Sequence, residues 1–199
     1  MRLAIVLALL PAFSNGYAEE SAAPSIALTL QRETPPDTAS PAPQWYLDDI
    51  EFLTKDGGRW VTSNAEYQSE SEPMEAYAIE WKKGYANSMT GRLFGIVDGK
   101  ETGDYWRFRQ YWHAGEGKAV LEQFGFGGAM GVGVLWREDD RTKTAQTFYP
   151  PQGAPTLQGH IAYNPDAETH VTESYNIVDG EWRPNRTYTW KRETAPDEG

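Results

Sequence analysis

Few residues in this chain of 199 have the types and spacing to do chemistry. Its three histidines, His113, His160 and His170, fall on three separate strand-like runs. None has a close metal-binding spacing such as H-x3-H, and a zinc centre without cysteine would have to recruit all three histidines or carboxylates. The chain has no cysteine, so no metal site is expected. One imidazole alone can ligate haem, and His160 or His170 would be the candidate; the competing reading is an ordinary hydrogen-bonded strand histidine, and no cofactor is expected. Nucleophile signatures are missing, with neither G-x-S-x-G nor S-x-x-K and its companion motifs present. The glycine-rich run from Gly125 to Gly133 lacks the Lys-Ser/Thr of a phosphate loop and has no strand–helix context. Its glycines fit strands that bend or leave room for large rings. Glu70, Glu72, Asp139 and Asp140 lie in turn-like segments as solvated charges, which leaves the mid-strand Glu122 as the acid to test for proton transfer.

Glu122 belongs to the most informative stretch, Asp104 to Phe126. If His113 pairs with Lys118 across a short loop, each strand has two assignable faces. One face carries Trp106, Phe108, Gln110 and Trp112 against Gly125, Gln123, Leu121 and Ala119. It holds no charge and sets large rings against small partners, as an interior requires. The other carries Tyr105, Arg107, Arg109, Tyr111 and His113 against Phe126, Phe124, Glu122, Val120 and Lys118. The first face is expected to point inward. In the alternative the hairpin is turned over, and Tyr105, Arg107, Arg109, Tyr111 and Glu122 form a polar pocket, since buried charges must be paired. A slip of one residue separates the two arrangements.

The elements that must position this hairpin are short. From Gly58 onward, runs of β-branched and aromatic residues alternate with turn signals: 59–67, 75–83, 88–97, 104–113, 118–126, 130–137, 143–149, 157–163, 168–178 and 185–192. Such a pattern predicts an all-β fold, an antiparallel up-and-down barrel of about ten strands. Asp98-Gly99 and Asp179-Gly180 suit two-residue turns with positive φ. Residues 44–53 (QWYLDDIEFL) read instead as a short helix or lid. The aromatics, 8 Trp, 11 Tyr and 7 Phe, are numerous enough to fill a core.

Upstream, Arg2, the apolar run Leu3 to Leu10 and the small residues ending at Ala18 have the order of a secretory signal. The run is too short to span a bilayer, so no stable membrane anchor is expected. Cleavage after Ala18 removes Arg2 alone among the charges and deepens a formal net charge of -11 by one. That balance disfavours nucleic acid as a partner. The expected organisation is a signal peptide over 1–18, an Ala/Ser/Pro-rich leader over 19–43, a barrel domain over 44–193 and a tail over 194–199, in a periplasmic or secreted protein.

Three stretches resemble the calycin, or lipocalin-like, superfamily, and bacterial DUF1579-type domains of unknown function within it. Gly58-Arg59-Trp60 is similar to the G-x-W that opens such barrels. In that family the Trp packs across the barrel base near a basic residue of the last strand, which implies Lys191 or Arg192 here. Ala119 to Gln123 with Gly131 to Leu135, and Glu168 to Tyr175 with Asp179 to Trp182, resemble its central and terminal strands. The resemblance spans about residues 52–192 and implies a fold without an activity. The expected function is an exported carrier of a small hydrophobic or amphipathic molecule, held by Trp106, Phe108, Gln110, Trp112, Leu121 and Gln123. The alternatives are an isomerase, cyclase or hydrolase built on Glu122, Arg107 and Arg109, or an envelope interaction protein whose aromatics only fill a core.

Overall fold

The computed structural model describes residues 39–193; the expected signal peptide, most of the leader and the tail lie outside them. A helix, α1 (Gln44–Thr54), runs through a 3-10 turn (Lys55–Gly57) into ten strands. These are β1 (Arg59–Ser63), β2 (Ala76–Lys83), β3 (Ser88–Val97), β4 (Lys100–His113), β5 (Lys118–Gly125), β6 (Met130–Glu138), β7 (Arg141–Tyr149), β8 (Thr156–Asp166), β9 (Thr169–Val178) and β10 (Glu181–Arg192). Every neighbour pair is antiparallel and sequential, and β10 returns to β1 to close an up-and-down barrel. Closure leaves no open sheet edge.

The turn chemistry explains the meander. Asp98 (φ 51°) and Gly99 (φ 68°) both adopt left-handed backbone, as do Asp179 (φ 54°) and Gly180 (φ 82°). Such turns match the right-handed twist of the strands they join. Four strands depart from the expected bounds by three residues or more, with β8 running on to Asp166 and β10 beginning at Glu181. β1 stops at Ser63, its last expected residues joining the long β1–β2 connection, and β4 begins upstream at Lys100. Where β3 meets β4, Leu93 pairs with Trp106 while Phe94 pairs with Asp104, leaving Tyr105 as an extra, bulged residue.

Helix α1 closes one end of the barrel. Tyr46, Ile50 and Leu53 recur at helical spacing and are buried on one face. They join Trp60, Ile79, Trp81, Met89, Ala119, Leu135 and Trp190 in the core at that end. The Trp60 indole N–H donates to the Leu53 carbonyl at 3.0 Å, fastening helix to strand. The Arg192 guanidinium lies 4.2 Å from the Trp60 ring centroid and also hydrogen-bonds the Phe52 carbonyl at 3.1 Å, so a basic residue of the last strand does stack on this tryptophan. At Gly58 the backbone comes so close to β2 that an added Cβ would lie 2.0 Å from the Trp81 carbonyl oxygen.

Candidate functional site

Alternation along β4 and β5 decides which side chains see the interior. The observed pairs, Trp106 with Gly125, Phe108 with Gln123, Gln110 with Leu121 and Trp112 with Ala119, are those of the expected register. Trp106, Phe108, Gln110, Leu121 and Gln123 line a cavity of about 650 Å³ that runs along the barrel. The Trp106 ring lies over Gly125, where a Cβ would come within 2.7 Å of it, so glycine makes the space the indole occupies. Trp112 differs from expectation. It sits at the capped end against Tyr46 (ring centroids 5.9 Å apart) and donates its indole N–H to the Ser40 carbonyl at 2.7 Å, a core contact beneath α1 outside the cavity.

The alternative polar pocket does not assemble inside the barrel. Arg109 pairs with Glu122 at 2.7 Å on the outer face with its side chain 58% exposed, and Arg107 pairs there with Asp104 at 2.8 Å. The Tyr111 hydroxyl donates to the same Glu122 at 3.3 Å. Burying that face would strand cations in an apolar interior. Tyr105 alone of this set reaches the cavity, because the bulge breaks the alternation at its position. His113 caps the β4–β5 turn, its Nδ1 accepting from the Glu116 amide at 3.1 Å.

The cavity has two unlike walls. One is apolar and aromatic, with Trp81, Leu93, Trp106, Phe108 and Leu121. Trp81 and Phe108 stack with centroids 5.4 Å apart. Opposite stands a polar wall contributed by β7, β8 and β9, including Thr144, Gln158, His160, Thr172 and Ser174. Behind it, the buried Gln146 amide N–H group lies 3.3 Å from both Gln158 Oε1 and His160 Nε2. Its own Oε1 is buried and has no hydrogen-bond partner. Burial pushes the His160 imidazole down to about 4 and the His170 imidazole likewise, so both are neutral near pH 7. His170 Nδ1 is turned to Asn164 Oδ1 at 2.7 Å, and its ring stacks on Trp60 and Phe52. No group of three or more candidate metal ligands occurs among the described residues.

Charge enters the cavity wall in two places. At the capped end, Asp49 of α1 accepts from the Thr142 hydroxyl at 2.6 Å and lies 3.6 Å from Arg137. Burial raises this carboxyl above its ordinary range against the pull of Thr142 and Arg137. At the other end, Glu72 of the β1–β2 connection receives both Arg186 nitrogens at 2.6 and 2.7 Å, and the Tyr77 hydroxyl at 2.7 Å. The Arg186 fork holds the Glu72 carboxyl down to about 2. Tyr188 joins the cluster, its hydroxyl 3.1 Å from Arg186 and donating to Asn64 at 3.0 Å.

Sequence reasoning missed this second cluster and the polar wall. A signal for the wall was present: Gln158 and His160 alternate with Gly159 and Ile161, the same alternation that identified Trp106 and Phe108. Glu72 carried none, being a loop carboxylate 114 positions from its partner. No family model matches the chain, and no curated protein sequence matches it. Function is therefore read from the geometry of the cavity.

Proposed function

We propose that this chain is an exported, lipocalin-like carrier that binds a small hydrophobic or amphipathic molecule inside the barrel. The observation that carries the reading is the partly open interior space of about 650 Å³ between an aromatic wall and an uncharged polar one. Its volume is in the range of small-molecule sites, and its mixed lining resembles theirs: apolar area for affinity, a few polar groups for orientation. A barrel whose aromatics only filled a core would have no such space, which disfavours a purely interaction role. The enzymatic alternative loses its residues, because Glu122, Arg107 and Arg109 bond to partners on the outer face. Export rests on the order of charged, apolar and small residues over Met1–Ala18.

The test is titration with a fluorescent apolar probe, N-phenyl-1-naphthylamine. Binding is expected to weaken by about tenfold or more, about 1.4 kcal/mol, in Trp106→Ala and Phe108→Ala. The outer surface supplies the control. Phe124, Val132, Val134, Trp136 and Leu157 stand exposed on the outside of β5, β6 and β8, where they offer the probe a second place to bind. Trp136→Ala and Leu157→Ala are expected to leave affinity unchanged. The reverse pattern, sensitivity at Trp136 and indifference at Trp106, would remove the cavity from consideration.

A further inference from the structure

The kind of ligand can be narrowed from the charges in the wall. Four charged residues line the cavity, Asp49, Glu72, Arg137 and Arg186, and they form two opposite pairs. Arg186 is the stronger case, since both of its terminal nitrogens are spent on the two oxygens of Glu72. A bidentate pair of this geometry satisfies the guanidinium fork and leaves no net charge facing inward. At the other end Asp49 and Arg137 form a looser pair, 3.6 Å apart and bridged by the Thr142 hydroxyl, which accepts from Arg137 at 3.0 Å and donates to Asp49 at 2.6 Å. A carboxylate entering the barrel therefore meets no free cation, and an amine meets no free anion. An ion moved from water into such a site loses its hydration without a counter-charge. The formal charge of -11 on the whole chain adds a long-range repulsion against anions.

Between the two pairs the wall is polar without being charged. Gln158 and His160 face the cavity, and behind them Gln146 Oε1 is a buried acceptor that no protein group satisfies. Amides and a neutral imidazole can both donate and accept, so they match a hydroxyl or carbonyl oxygen. Resting on the carrier reading, we infer that the cavity selects an uncharged ligand with an apolar body and a hydrogen-bonding oxygen. The body lies on Trp81, Trp106 and Phe108, and the oxygen points to Gln158 and His160. Carboxylates and amines of the same skeleton are excluded by the pairing of all four wall charges.

Displacement of N-phenyl-1-naphthylamine from the full chain at pH 7.5 tests this with matched competitors. One series is 1-dodecanol, methyl dodecanoate and dodecanoate; the other is testosterone and its hemisuccinate. The neutral members are expected to compete at least about tenfold better than the anions in both series. Gln158→Met is expected to weaken 1-dodecanol and testosterone severalfold relative to the probe. Glu72→Gln uncovers the Arg186 charge, and the hemisuccinate is then expected to gain on testosterone. Should that variant fail to fold, the wild-type series still decides. Anions that compete as well as the neutral members, with probe binding still dependent on Trp106, overturn the selection and leave the carrier reading standing. Probe binding that ignores Trp106→Ala overturns both.

Discussion

His160 occupies the polar wall as a neutral imidazole, and that has a consequence for acid stability. Its ordinary value of 6.5 is pushed down to about 4 by burial. Above pH 6.5 neither the folded nor the unfolded chain holds the proton, so stability is unaffected. Between pH 6.5 and 4 the unfolded chain takes up a proton that the folded chain refuses, and stability falls as the pH drops. The loss is on the order of 3 kcal/mol at most, and His170 acts in the same direction over the same window. Thermal melting followed by circular dichroism is expected to drop between pH 7 and 4.5, and His160→Gln to flatten part of that drop. A melting temperature constant over this window would contradict the buried placement. Glu72 operates lower. Its carboxyl is held at about 2 against an ordinary 4.5, so its contribution is complete above pH 4.5 and is lost as the pH falls toward 2. Trp106, Phe108 and Gln123 were legible in the sequence because period-two alternation fixes which side chains share a face. Tyr105 and Trp112 were not, since a bulge redirects the first and a helix from outside the hairpin covers the second.

Among the elements, the approach of α1 to β2 through Gly58 gives a sharp comparison. Gly58 and Gly99 share nearly the same left-handed backbone, φ 67° and 68°, but a Cβ at Gly99 would meet nothing within 4 Å. At Gly58 it would strike the Trp81 carbonyl at 2.0 Å, a backbone atom that cannot swing aside. Gly99→Ala is expected to cost about 1–2 kcal/mol from conformation alone. Gly58→Ala is expected to cost several kcal/mol, because the clash adds to the same strain and breaks the Trp81 amide bond to the Gly58 carbonyl. Urea denaturation of the two variants measures the difference, and equal losses would mean the helix can shift away. The strands and the helix were read closely from turn residues and from periodicity, since each is set by its own neighbours. The β1–β2 connection was not: its Glu72–Arg186 contact joins residues 114 positions apart that only closure brings together.

For the molecule as a whole, the closing seam is the shortest interface. β10 meets β1 through two Cα pairs, Trp60 with Arg192 and Val61 with Lys191, whereas β9 and β10 share ten. Amides of β1 and of the end of β10 are expected to exchange with deuterium faster than those of β4 and β5. Ending the chain at Trp190 removes both pairs, and that variant is expected to lose probe binding. Retained binding would mean that the barrel holds its contents without closing. The seam also fixes an order of events in time. Each of the other neighbour pairs is a local hairpin, but Arg59 and Glu193 come together from 134 positions apart. Distant contacts form slowly because the loop entropy must be lost before they reward it. Until the last strand docks, the chain is a curved trough open along one side, and on the carrier reading a guest would reach Trp106 and Phe108 from the flank. Once Arg192 reaches Trp60 that flank is shut. Loading during folding and loading afterwards are thus two different processes, the first governed by the lifetime of the trough.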